Sequence, residues 1–196
     1  MYDFFKKKKG VIKIKIAIDL DEVVFPTYEV LNKMFFRVFG KEIDWYSFYS
    51  KGRFYMATEE GKWTKRVLMN ENFYKSLVAR SNAAEVLNSL TNGRNGYEVI
   101  YWTARPSVLN GATLRLLEDN RLPVGRIHYV NRRRAPKSKL KIVRQERINI
   151  VVESDVETIE NLRGFCRAIL FNTLNNGKCR CDKRIFKLKD LRFLVA

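Results

Sequence analysis

Two aspartates, Asp19 and Asp21, stand one residue apart where the apolar run Ile16-Ala17-Ile18 gives out, in a stretch that continues Glu22-Val23-Val24. On a strand, residues i and i+2 project to the same side, so both carboxylates can address one small volume beyond the strand end. A pair in such a place holds a hard cation, or divides the work of nucleophile and acid/base. For a lone D-x-D the alternative is an acidic turn after a buried strand.

The elements around the pair decide between these. Val11 to Ile18 alternates, with Lys13 and Lys15 opposite Ile12, Ile14 and Ile16, and reads as a strand. Val30, Leu31, Met34, Phe35 and Val38 recur at helical spacing and Gly40 supplies a stop. From Lys41 to Lys75 the pattern turns irregular and aromatic, which suits a small inserted cap whose rings form its core or a stacking surface. After that the chain alternates. A helix capped by Ser81 or Asn82 runs to Leu90 and ends at Asn92-Gly93, and Tyr97 to Trp102 is a strand. Ser107 to Asp119 is helical, Ile127 to Val130 a strand, and a helix capped by Ser138 runs to Gln145. Ile148 to Val152 is a strand, Val156 to Arg163 a helix, and Ala168 to Phe171 a fifth strand. Strand and helix in alternation predict an α/β, Rossmann-like parallel sheet with helices on both faces, here with the helical cap inserted after the first strand. The expected division is a core of 11–26 and 80–196, a cap of 27–79, and a basic arm of 1–10 carrying Lys6 to Lys9.

In such a sheet, ligands bind beyond the carboxyl ends of the strands. The first strand delivers Asp19 and Asp21 there, the second Thr103-Ala104-Arg105, and the fourth Glu153-Ser154-Asp155, while Lys139 opens the helix before the fourth. That convergence argues against the acidic-turn alternative.

The whole chain of 196 residues carries a formal charge of +17, with 38 Lys and Arg against 21 Asp and Glu. Such an excess points to a polyanionic partner. Arg105, Arg132, Arg133, Arg134, Lys137 and Lys141 are the expected polyanion-binding residues, clustered by the mouth of the site. No apolar run reaches the length of about 18 residues that a membrane span needs, so a cytoplasmic protein with no membrane partner is expected. Cys166, Cys179 and Cys181 are too few for a zinc site, which wants about four ligands, and read as incidental thiols. His128, the only histidine, sits in Ile127-His128-Tyr129-Val130 and reads as a sheet residue.

The order D-L-D-E-V, then Ile100-Tyr101-Trp102-Thr103-Ala104-Arg105-Pro106, then Lys139 ahead of a strand running I-N-I-V-V-E-S-D from Ile148, resembles the haloacid dehalogenase superfamily of phosphotransferases. Glu157-Thr158-Ile159-Glu160-Asn161-Leu162 and Ile169-Leu170-Phe171-Asn172-Thr173 further resemble its 5′(3′)-deoxyribonucleotidase-like branch. The resemblance implies a phosphoric monoester hydrolase. Asp19 would attack phosphorus to form an aspartyl-phosphate, and Asp21 would protonate the leaving oxygen and then activate water. Thr103, Ala104 and Lys139 would bind the phosphoryl group. Mg²⁺ would sit on Asp19, the backbone carbonyl of Asp21 and an acid from Glu153 or Asp155. Ser154 stands where that branch carries a second adjacent acid, which displaces Asp155 by one. The implied substrate is a nucleotide or a phosphorylated nucleic-acid end, with non-specific nucleic-acid binding through the basic surface. A non-catalytic binder of nucleic acid on the same fold is the alternative.

Overall fold

The structure is a computed structural model that describes residues 13–51, 54–92, 96–173, 176–177, 181 and 183–195, with the backbone alone at 46, 49, 50, 133 and 195. The expected basic arm, Val11, Ile12, Gly93 and Cys179 lie outside the described residues.

Strand β1 (Lys15–Asp19) leads into α1 (Thr27–Phe39), α2 (Trp45–Ser50), α3 (Glu59–Leu68) and α4 (Glu71–Lys75). These four helices stand between the first strand and the second, where the cap was expected. There follow α5 (Ala83–Asn92), β2 (Glu98–Thr103), α6 (Asn110–Asp119), β3 (Arg126–Tyr129), α7 (Ala135–Glu146) and β4 (Ile150–Glu153). The chain continues through α8 (Val156–Leu162), β5 (Arg167–Phe171), β6 (Arg184–Ile185) and α9 (Leu191–Val195).

The strands form one parallel sheet in the order β3-β2-β1-β4-β5-β6. Strand order therefore reverses between β1 and β4, and a crevice opens at such a reversal. Because β1 is central and covered on both faces, Ile16, Ala17 and Ile18 are all fully buried. The alternation expected there is not seen: Lys13 and Ile14 are both exposed, and from Ile16 onward both faces are buried. Ile16, Ile18, Tyr101 and Val152 pack toward Leu31, Phe35, Val86, Leu116 and Leu191, whereas Ala17, Ile100, Trp102 and Val151 pack toward Val143 and Leu162. So α7 and α8 cover one face, and α1, α5, α6 and α9 cover the other.

The inserted helices share the larger cluster with the sheet, since Phe48, Tyr55, Leu68, Phe73 and Tyr74 are buried with Ile16 and Ile18. Their aromatics are mainly core: Trp63 meets Phe35 and Phe39 edge-on at 5.5 and 5.9 Å. Phe54, by contrast, is exposed. Gly61 is obligatory in this packing, because a Cβ there would lie 2.0 Å from the carbonyl oxygen of Tyr55.

Three details differ from expectation. Helix α1 stops as expected at Gly40 (φ 67°), but Val38 faces solvent. Helix α7 starts at Ala135 with Pro136 in its first turn, so Ser138 lies inside the helix and does not cap it. The basic tail contributes β6, which pairs with β5 through Leu170↔Arg184 and Phe171↔Ile185. Among the described residues no helix is long and apolar enough to cross a membrane.

Candidate active site

Strand periodicity determines which residues meet. Asp19 follows Ala17 by two, Glu153 follows Val151 by two, and Trp102 follows Ile100 by two. All three therefore project toward the face covered by α7. From α7, Lys139 lies one turn beyond Pro136 and is buried among them. Its Nζ donates to Asp19 Oδ1 at 2.8 Å and to Glu153 Oε2, and it sits 5.1 Å from the centre of the Trp102 ring. Trp102 Nε1 donates to the same Glu153 oxygen at 3.1 Å, and Glu153 Oε1 accepts from the backbone N–H groups of Ser154 and Asp155. Glu153 is thus fully satisfied, and Lys139 is shared by two acids.

Asp21 has a separate set of partners. Strand β1 ends at Asp19, and the turn that follows holds Glu22 at φ 70°, a left-handed conformation that is costly for a residue with a side chain. Asp21 accepts from Thr27 Oγ1 at 2.6 Å, Thr103 Oγ1 at 2.8 Å, and Arg105 through Nε at 3.0 Å and Nη2 at 2.8 Å. Arg105 is 3% exposed and lies over the rings of Tyr74 (4.5 Å) and Phe25 (5.5 Å). It is therefore no part of a basic rim, which corrects its expected polyanion role. A guanidinium inside the protein is stable only when paired, and Asp21 is the pair.

These partners drive the two aspartates apart electrostatically. Burial raises the Asp19 carboxyl well above the usual range, the charge of Glu153 adds to that, and Lys139 offsets only part. For Asp21, burial alone would also raise the value, but the Arg105 charge and hydrogen bonds with Arg105, Thr27 and Thr103 outweigh it and hold the group below its ordinary value. Burial likewise opposes the Lys139 ammonium, yet Asp19 and Glu153 carry its value above normal.

A cavity of about 480 Å³ opens at this point, at the reversal of strand order, and both Asp19 and Asp21 line it. Six acidic residues line it, Asp19, Asp21, Glu22, Glu153, Asp155 and Glu157, against two basic ones, Arg132 and Lys139. Ala104 lines it, but Thr103 does not: its hydroxyl is fully buried and spent on Asp21 and on the N–H of Arg105. Asp155 is exposed at the rim, and its carboxylate caps α8 by accepting from Thr158 N at 2.9 Å and Thr158 Oγ1 at 2.5 Å. Arg132 donates to the Tyr28 hydroxyl at 2.8 Å beside the cavity. Arg134, Lys137 and Lys141 are exposed on or next to α7, and the side chain of Arg133 lies outside the described residues.

Among the described residues, no group of three or more His, Cys, Asp or Glu is arranged to cage a metal. A hard cation that keeps several waters needs less, namely one or two carboxylates and a carbonyl. Asp19, Asp155 and the backbone at Asp21 fit that description. Burial and, after it, the charges of Glu153 and Asp21 lift Asp19, and such a cation would relieve that acid charge.

Several residues of the wall were not foreseen. Glu22 is buried, accepts from Tyr28 N at 2.6 Å and lies 3.7 Å from Arg80, and burial pushes its carboxyl up to about 7 against those two partners. Its place directly after the D-x-D was the only signal. Asn176 reaches the cavity by donating to the carbonyls of Ser154 and Phe171, and Arg184 of β6 holds it through its backbone oxygen at 3.2 Å. Trp102 looked like an ordinary strand aromatic. His128 is in β3 opposite Trp102, as expected of a sheet residue, and burial lowers its imidazole below the usual value.

No protein-family model matches the sequence, and no curated protein does. Solved structures do match in fold. A haloacid dehalogenase (HAD) family hydrolase from Deinococcus radiodurans R1 with bound phosphate and sodium superposes with a TM-score of 0.62 at 14% identity, covering 95% of this chain and 96% of that one. A phosphoserine phosphatase in apo form gives 0.55 at 18% identity over 93% and 98%. A putative β-phosphoglucomutase from Bacteroides vulgatus gives 0.58 at 17% identity over 94% and 88%. The chain therefore has the fold of the haloacid dehalogenase-type hydrolases, and at these identities the likeness is one of fold.

Proposed function

We propose that the protein is a Mg²⁺-dependent phosphatase that hydrolyses a phosphomonoester of a nucleotide, or of a nucleic-acid end, through an aspartyl-phosphate. The observation that carries this reading is Lys139, held 2.8 Å from Asp19 and bonded to Glu153, in a cavity whose wall includes six acidic residues. A phosphate dianion is repelled by such a wall unless a cation accompanies it, and phosphoryl transfer needs positioning and charge neutralisation above all. Asp19, the Asp21 carbonyl and an acid from Glu153 or Asp155 would hold Mg²⁺, which would supply that neutralisation when bound. Of the two acids, Asp155 has the more accessible carboxylate.

In this reading Asp19 Oδ attacks phosphorus and the ester oxygen leaves with a proton. Lys139 favours the ionised form of the attacking carboxylate, offsetting part of the rise that burial and Glu153 impose, and neutralises the phosphoryl oxygens. Asp21, kept ionised by Arg105, is set up as the base that takes a proton from the hydrolytic water; its acid role in the first step needs it to part from Arg105. Thr103 acts on phosphate indirectly, by orienting Asp21, and Ala104 offers its backbone at the wall. Residues 27–79 serve as the cap over a core of 11–26 and 80–196, with Tyr28 as their contribution to the cavity.

The test is phosphate release from nucleoside monophosphates and from 5′- and 3′-phosphorylated oligonucleotides, with Mg²⁺ and with chelator. Mg²⁺-dependent release that Asp19→Asn abolishes is the expected result. Absence of release from every substrate, or an Asp19→Asn protein as active as its parent, would overturn it. One observation favours a second reading, a non-catalytic nucleic-acid binder: the Asp155 carboxylate is spent on the α8 cap and Ser154 offers no charge. A ligand that binds only the folded state raises Tm, so a chain whose melting ignores Mg²⁺ would support the binder.

A further inference from the structure

Helix α7 has two faces. Ala135, Pro136 and Lys139 line the cavity, whereas Lys137, Lys141 and Arg144 are exposed on the other side. These three are spaced i, i+4 and i+7, so they form a single stripe that rises about 10 Å along the axis. Arg134 extends it at the N-cap, beside the cavity mouth. Among the described residues, no acid pairs with any of the four; nearby, Glu146 is engaged by Lys15 and Arg126, Glu153 by Lys139, and Asp155 by the α8 cap, while Glu157 lines the cavity. At its far end Arg144 lies 4.3 Å over the ring of Phe165, which is about half exposed.

The geometry points to α7 as the binding path for a single-stranded nucleic-acid segment that runs away from the cavity, its phosphates on Arg134, Lys137, Lys141 and Arg144 and a base on Phe165. This deepens the phosphatase reading, on which it rests, by choosing a polynucleotide end over a free mononucleotide. Charge complementarity identifies the occupant: unpaired cations in line bind a regularly spaced polyanion, and an exposed ring beneath a guanidinium is a stacking platform. An anionic bilayer fits less well, because membrane-seated helices also present apolar side chains. None of the exposed large hydrophobics belongs to α7.

The experiment uses the full chain and a fluorescently labelled, unphosphorylated single-stranded oligonucleotide, followed by anisotropy. With three or four phosphate contacts, affinity should fall roughly twenty- to fifty-fold between about 50 and 200 mM salt. The triple variant Lys137→Ala, Lys141→Ala, Arg144→Ala should flatten that dependence, lowering the log–log slope by about 0.7 for each cation removed. In turnover, the same variant should raise KM for a phosphorylated oligonucleotide relative to KM for a mononucleotide, and Phe165→Ala should do so to a smaller degree. The path is overturned if the triple variant binds oligonucleotide with unchanged affinity and slope. It is also overturned if phosphatidylserine vesicles bind the parent through these residues and oligonucleotide does not. A protein that binds the oligonucleotide as described yet releases phosphate from nothing would refute the phosphatase reading and leave the path standing.

Discussion

Lys139 and Lys141 lie two residues apart on one helix and carry the same charge. The first is sealed against two carboxylates; the second stands in solvent with no acid beside it among the described residues. The inner face of α7 closes a cavity with six acids in its wall, and the outer face carries the unpaired cations of a chain with net charge +17. A helix is only about 10 Å thick, so opposite potentials meet across one element. The difference teaches that net charge describes the approach to this site and says nothing of its interior. The contrast repeats within the cavity, where Asp19 is raised and Asp21 lowered although only Leu20 separates them.

The sharpest break of the comparison is Asp19→Asn: under the phosphatase reading it removes the proposed nucleophile and not a supporting contact, so phosphate release should fall by about a thousandfold or more. Lys139→Met comes next. Removing one partner of a buried ion cluster costs roughly 3–5 kcal/mol, a fall in Tm of order 10 °C for a chain of this size. Lys141→Met should stay within about 0.5 kcal/mol by the same melting experiment. If the two variants melt alike, the two faces of α7 do not differ as described.

The contrast between the aspartates is tested by pH, with chelator present. Asp21 has a depressed value in the folded state, so its stabilisation is present above the ordinary carboxylate range and is lost as pH falls through the folded value. Asp21→Asn should therefore be less stable than the parent at neutral pH, with the gap closing on acidification. Asp19 has a raised value, so its contribution is greatest at low pH and is lost as pH rises through the folded value. Asp19→Asn should gain on its parent as pH rises. Denaturant titrations at several pH values check both, and parallel curves would show that the two sites are alike.

Asp155→Ala should cost about 1 kcal/mol through loss of the α8 cap. If Asp155 also holds the cation, the Mg²⁺ concentration for half-maximal activity rises; if Glu153 holds it, that midpoint stays put. The smallest effect concerns Cys166, whose thiol burial pushes up to about 11. It should be alkylated at pH 8 several-fold more slowly in the folded than in the denatured protein, as followed by mass spectrometry.

Much of the frame was legible along the chain. The apolar runs that became β1, β2, β4 and β5 are continuous because a parallel sheet buries both faces of its inner strands, and the ends of β1, β2 and β4 place Asp19, Asp21, Ala104 and Glu153 at the cavity. Lys139 was expected to open its helix; instead α7 begins at Ala135, and the lysine faces inward one turn beyond Pro136. Strand β6 has two residues, too short to leave a period in the sequence. Arg105 was assigned to the surface because an arginine in a basic chain usually belongs there, and nothing near it in sequence reveals a buried carboxylate.

The sequence by itself determined which chemical groups reach the carboxyl edge of the sheet, because strand and helix periodicities are local and their order follows the chain. Only the tertiary structure decided how those groups pair. The Asp21–Arg105 and Asp19–Lys139 contacts span 84 and 120 residues, and charge coupling depends on distance and burial in space, which no local pattern encodes. So the two aspartates that began as a matched pair at a strand end are shifted in opposite directions, one raised by burial and Glu153, the other held down by Arg105.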